Sequence, residues 1–402
     1  MSIHTPVRIG PAEAKLIEQL GAAGAAAAAE RLTTIGLPTR KVESYHYTDL
    51  KMLLRAVPEL AGAEKATSAP ALRIPGAYRI PLTNGVADID GNEPDGVLAA
   101  IVKGSALSER DDVLVRLNAA LAASTLKLDI AGEQPTVLHI DRRTEGDAAH
   151  MNDSVSLFLA DGGKAVVIEI FSGTDEVHVS NHASYVAVGK GAELTHILLD
   201  LSPSRATNFA AAEYHVAEGA KLRTITIHAG SVLSRFNLFA KFEGEGAHGD
   251  FTGLNLVSEG QHSDVTLELR HAVPRCTAKP LYKQIARGRS TAVFQGKIIV
   301  ERDAQKTDAK LMMQGLMLSD EAQILSKPEL EIFADDVVCG HGSTVGALND
   351  DHMFYLLSRG IPKLEAESML VRGFLAEVLD PIENDDLHDA LEGVVEKWLR
   401  GE

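Results

Sequence analysis

The chain has 402 residues, 45% hydrophobic and 24% charged, a composition that buries a large core and excludes disordered and collagen-like classes. With 39 Lys and Arg against 56 Asp and Glu the formal charge is -17, which repels phosphate backbones, so nucleic acid is not an expected partner. The start, Met1 to Gly10, lacks the charged-then-apolar layout of a secretory signal, and no apolar run approaches the ~18 residues of a membrane span, so the expected location is the cytoplasm, with no membrane partner.

Leu16, Ile17, Leu20 and the Ala-rich run Ala22 to Ala29 predict an N-terminal helix, broken at Gly21 and Gly24. The stretch Pro58 to Pro81, rich in Ala, Pro and Gly, reads as a connector, and residues 1–128 as an N-terminal helical or mixed domain. Residues 129–345 change character. Short apolar alternations such as Val137 to Ile140, Val166 to Ile170, Val177 to Val179 and Thr224 to Ile227 predict strands. Glycines at 163, 191, 219 and 246 recur through them, a period that signals a β-solenoid with coils stacked on one another. Residues 346–402 return to helix: Asn349 caps a first, Leu364 to Val378 form a second, and Leu387 to Trp398 a third.

Several motifs fail on inspection. Gly244-Glu-Gly-Ala-His-Gly249 has the dinucleotide-binding spacing, but a strand pattern follows it where a helix N-terminus is needed. There is no phosphate loop and no nucleophile elbow. Many of the 15 histidines lie in the strand region, among them those at 178, 182, 196, 215, 228, 248, 262 and 271, without a trustworthy metal spacing; they read as surface or hydrogen-bonded core side chains. Two cysteines, Cys276 and Cys339, supply neither a disulfide framework nor a structural zinc site, and Cys276 reads as inert. Cys339-Gly-His341 is sharper, because on a strand i and i+2 share a face and set a thiol beside an imidazole. Two ligands fall short of the about four that iron-sulfur and tetrahedral sites require, so a structural strand and a metal site completed by a second chain both remain open.

The runs Ala304 to Ala309, Lys327 to Gly346 and Phe354 to Ile361, with Arg40-Lys-Val-Glu-Ser-Tyr-His-Tyr-Thr-Asp-Leu50 near the start, closely resemble the SufB/SufD family of iron-sulfur cluster assembly proteins. Chain length and the scarcity of cysteine fit the SufD branch. The resemblance implies a mainly β fold: a right-handed parallel β-helix core with helical domains at both ends. It implies a non-catalytic scaffold that pairs with a SufB-like subunit and binds a SufC-like ABC ATPase, where ATP is hydrolysed. It further implies that His341, with Cys339, ligates a transient iron-sulfur cluster shared with the partner chain, and that tail residues including Tyr355, Leu356, Arg359 and Phe374 meet the ATPase. A homodimer in isolation is left open, as is a flavin in the assembled complex, for which no motif maps onto the chain. The tail is expected to be separable, so that deletion after Gly346 leaves the solenoid folded. The alternative of another class is a β-helix carbohydrate-active enzyme working through histidines and acids on the coil surface. A third, a purely structural solenoid, differs only in whether Cys339 and His341 touch iron.

Overall fold

The computed structural model describes residues 8–62, 69–107 and 110–401; Met1 to Val7 and residues 63–68 of the expected connector lie outside it. The protein is mainly β, a parallel β-solenoid of about eight turns with helices at both ends. Successive strands alternate between two sheets. Lys164–Gly173, Glu193–Asp200, Lys221–His228 and His248–Val257 pair in parallel in one, with Val167, His196, Thr224 and Phe251 in line. His178–Val188, Thr207–Val216, Leu233–Phe242 and His262–His271 do so in the other, aligning Ser184, Ala212, Leu238 and Leu267.

Inward side chains at every second position fill the space between the sheets: Ala165, Val167 and Phe171 from one, Val186, Ala212 and Leu238 from the other. The outward residues are apolar too, because helices cover both outer faces. That is why Lys164–Gly173 reads as a nearly unbroken apolar run. On the nine-stranded sheet, Leu114 and Leu117 of the helix Val113–Leu121 pack with Val179, Phe209 and Leu233. The predicted N-terminal helix is two, Pro11–Ala22 and Ala26–Ile35, separated at Gly24 with φ +76°. On the eleven-stranded sheet, Ile168, Ile197, Ile225 and Leu254 are covered by Val371, Leu375, Leu391 and Trp398 of Lys363–Leu379 and Asp385–Arg400.

Three sequence expectations change. Strands Tyr78–Thr83 and Val97–Lys103, within residues 1–128, join the two sheets, so β structure begins before residue 129. The glycine opposite Gly191 is Gly162 rather than Gly163: the left-handed turn residues are Gly162, Gly191, Gly219 and Gly246, with φ between +61° and +71°. The column continues at Arg275 and Lys306, with φ +59° and +64°, each paired to an acid on a neighbouring coil, Glu245 and Asp336. Finally, the last two helices are a lid on the solenoid. Deleting everything after Gly346 would bare the apolar face that these helices cover, Ile168, Ile197, Ile225 and Leu254 among it.

Candidate functional site at the open end of the solenoid

The two ends of the solenoid differ. At the N-terminal end both sheets finish in antiparallel strands, Val86–Ala87 on Tyr78–Thr83 and Val97–Lys103 on Ser124–Ile130. At the other end the terminal strands Gln323–Ile332 and Val338–Gly346 run parallel to their neighbours and keep one edge without a partner strand among the described residues. Ile332, Phe333, Val338 and Val345 stand exposed there, Phe333 and Val338 at 59% each. An uncovered, apolar, parallel edge is a template for another chain.

Cys339 and His341 sit on this last strand. Cys339 pairs with Ala309 and His341 with Leu311, both inner-core residues, so the two side chains continue the inward-facing columns into the open mouth. The structure therefore brings them to one face, as the i, i+2 spacing predicts. Cys339 is half-buried against the core, and burial pushes its thiol up, helped by Asp308 and opposed by the Ala309 backbone and Lys310. His341 is exposed. Among the described residues the only trio of His, Cys, Asp or Glu close enough to hold a metal is His388, Asp389 and Glu392 on the last helix, so none of them joins Cys339 and His341 as a third ligand.

The tail residues divide. Asn349 caps the helix Asp350–Ser358 by accepting from His352 N at 3.0 Å, and no residue of that helix is buried. Phe354 is 73% exposed, Tyr355 and Leu357 are exposed, Leu356 is half-buried, and Arg359 lies 5.0 Å from the Tyr355 ring. Phe374 lies elsewhere: it is half-buried on the sheet side of Lys363–Leu379, with the Lys283 ammonium 4.7 Å from its ring.

The sequence reading missed two polar assemblies. Inside the first coils, fully buried Arg142 lies with Nε 3.0 Å from Glu169 and Nη1 3.2 Å from Asp153; His182 meets Asp153 at 2.8 Å and His196 meets Glu169 at 2.9 Å. Burial raises the Glu169 carboxyl, but Arg142, His196 and Ser184 outweigh it and hold it at about 2. The signal was present: these charges fall in the inward phase of strands whose other inward residues are apolar. The second assembly fixes the phrase around Tyr45. Its hydroxyl donates to Asp112 at 2.8 Å, Arg235 lies 4.2 Å over its ring and donates to Ser44 O at 2.7 Å, and Asp264 pairs with both Arg235 and Thr48. The N-terminal motif is thus an anchor onto the solenoid. Of the other strand histidines, His228 and His271 are buried and His215 lies 3.2 Å from both Glu213 and Glu243. The glycines of 244–249 lead into the strand His248–Val257, with no helix N-terminus to receive a pyrophosphate.

Residues 142–374 match the family model for the SufBD core domain of SUF-system FeS cluster assembly. The iron-sulfur cluster assembly protein SufD of Escherichia coli K12 is 30% identical over 375 residues, 89% of this chain and 88% of that one. A SufBD family protein of Mycobacterium tuberculosis, Rv1462, is 27% identical over 391 residues, 90% and 89% of the two chains. SufD of Bacillus subtilis is 32% identical over 158 residues, 39% of this chain and 36% of that one.

Proposed function

The chain belongs to the SufB/SufD family and is a SufD-like protein of SUF-system iron-sulfur cluster assembly, and from that premise we propose that it is a non-catalytic scaffold subunit whose open solenoid end docks a SufB-like chain. The observation that carries the reading is the continuation of the inward columns to Cys339 and His341 on an unpaired terminal strand. A partner strand added along that edge would cover Phe333, Val338 and Val345 and bring its own ligands to the two side chains. His341 donates through a neutral imidazole, and Cys339, once its proton is lost, through a thiolate. The cluster is cargo, held between two chains and passed on. The exposed helix Asp350–Ser358, with Tyr355, Leu356 and Arg359, is the handle for a SufC-like ABC ATPase, while Phe374 packs toward the sheet instead. ATP hydrolysis belongs to that partner. Among the described residues no helix is long and apolar enough to cross a membrane, and we place the assembly in the cytoplasm.

Co-purification separates the two surfaces. Phe333→Asp with Val338→Lys should lose the SufB-like chain and keep the ATPase, while Phe354→Asp with Tyr355→Ala should do the reverse. If both variants retained both partners at parental yield, the docking assignment would be wrong.

A further inference from the structure

The last turn of the solenoid changes the chemistry of its own inward columns. Ala309, Leu311 and Met313 are buried core residues of Asp308–Met317, and the residues paired with them on Val338–Gly346 are Cys339, His341 and Ser343. On the facing sheet, buried Phe294 of Thr291–Val300 is followed in its column by Ser326 of Gln323–Ile332. The flanking positions stay apolar: Ala292 gives way to Ile324, Ile298 to Leu330 and Gly315 to Val345. A solenoid end that only met water would turn polar along its whole length, so these four polar side chains mark a confined site with an apolar rim.

Close packing between the sheets sets which residues face one another. A Cβ on Gly315 would lie 2.9 Å from Ile324 Cγ2 and 3.2 Å from Val345 Cγ2, so Ile324 and Val345 meet at one end of the mouth. One coil earlier Gly296 lies against Leu311, which puts Pro328 across from His341. The inward positions between these two levels are Ser326 and Ser343, which therefore face each other. Ser343 is exposed and stands one inward step from His341. Ser326 is half-buried, and its Oγ is shielded from solvent with no hydrogen-bond partner among the described residues. A shielded hydroxyl without a partner is unfavourable, and an acceptor brought to the mouth would satisfy it.

We propose that Ser343 and Ser326 are hydrogen-bond donors to the sulfur atoms of the cluster carried at His341 and Cys339. This rests on the reading that those two residues hold the cargo. Imidazole and thiolate bind iron, which leaves the anionic sulfides of a cluster in need of donors. A serine hydroxyl supplies one donor without carrying a charge or losing a proton. Apart from His341 and Cys339, the other inward side chains of the two terminal strands between Ile324 and Val345 are Pro328 and Leu330, which have no polar hydrogen. Hydrogen bonds to the sulfurs tune the potential of a cluster, and groups that support the ligands strengthen its retention. The two hydroxyls should therefore slow release of the cargo and raise its reduction potential.

The serine variants are tested in the purified complex with the SufB-like chain and the ATPase, reconstituted anaerobically. Ser343→Ala should load iron and sulfide but release them to EDTA roughly tenfold faster than the parent, with a more negative reduction potential. Ser326→Ala should act in the same direction, and Ser343→Thr, which keeps a hydroxyl, should restore both values. In the isolated chain Ser326→Ala should melt at or above the parental temperature, because it removes a hydroxyl that has no partner. Parental release rate and potential in both alanine variants, while His341→Ala loses the cluster, would overturn the serine assignment and leave the ligand reading standing. Full cluster content in His341→Ala would remove the ligand reading and the serine assignment with it. A lowered melt of Ser326→Ala would show its hydroxyl bonded within the chain and overturn its part in the proposal.

Discussion

Replacing Arg142 by Leu removes the only guanidinium among two buried carboxylates, and its cost can be worked from the geometry. Arg142, Asp153 and Glu169 are all fully buried, with contacts of 3.0 and 3.2 Å from the guanidinium. Holding Glu169 at about 2 rather than the usual 4.5 corresponds to about 3 kcal/mol of folding free energy. The folded value is depressed, so this stability is present above pH 4.5 and is lost as pH falls from there through 2. Stripping one partner from a buried ion cluster costs roughly 3–5 kcal/mol, a large share of the ~5–15 kcal/mol typical of a folded domain. Urea unfolding followed by far-UV circular dichroism at pH 7 should show that loss in Arg142→Leu. The deficit should also shrink toward pH 5, because without Arg142 burial raises the Glu169 carboxyl and the folded state takes up the proton first. A loss under ~1 kcal/mol at pH 7, or one that does not change with pH, would refute the reasoning.

Burial lowers His139, His150 and His271 to about 4 and His228 to about 3. Their contribution is therefore full above pH 6.5 and lost as pH falls toward 4. Acid unfolding monitored by circular dichroism should steepen below pH 6.5, and His228→Gln should flatten the slope; an unchanged slope contradicts this. A Cβ on Gly244 would lie 1.8 Å from Glu218 N on the adjoining coil, so Gly244→Ala should lower stability by roughly 1–3 kcal/mol or more in a thermal melt; an unaltered melt would show the coils can part there. Phe354→Asp with Tyr355→Ala should shift stability by less than ~0.5 kcal/mol while abolishing ATPase capture, since neither side chain is buried; a large drop in melting temperature would mean the helix is packed rather than free.

Much of the fold could be read from the sequence because a solenoid repeats its turns. Gly191, Gly219 and Gly246 mark left-handed turns that recur once per coil. The repeat fades after Gly246 for a physical reason: Arg275 and Lys306 adopt the same conformation, at a cost of about 1–2 kcal/mol each, and carry no glycine to betray it. The early strands were hidden for a different reason, since Tyr78–Thr83 and Val97–Lys103 are separated by loops and a helix from the regular coils they join. The tail helices were visible from their apolar spacing, but their role as a lid was not. Only the apolar outward positions Ile168, Ile197 and Ile225, spread over three coils, reveal that a covering is needed. At the site, Cys339 and His341 were found by i, i+2 spacing. Phe374 could not be separated from Tyr355 and Arg359 by periodicity alone, because whether a helix face meets solvent or sheet depends on chain far away in sequence.

Cluster content of the His341→Ala complex tests the central claim most directly. The chain, the SufB-like partner and the ATPase are purified together, reconstituted anaerobically, and assayed for iron, acid-labile sulfide and the visible absorption of the cluster. His341 is exposed on a terminal strand of a solenoid held by many stacked coils, so the variant complex should assemble at parental yield. It should carry little iron or sulfide, whereas Cys276→Ser should match the parent. Full cluster content in the His341→Ala complex would contradict the account and leave the Cys-Gly-His strand a structural edge alone.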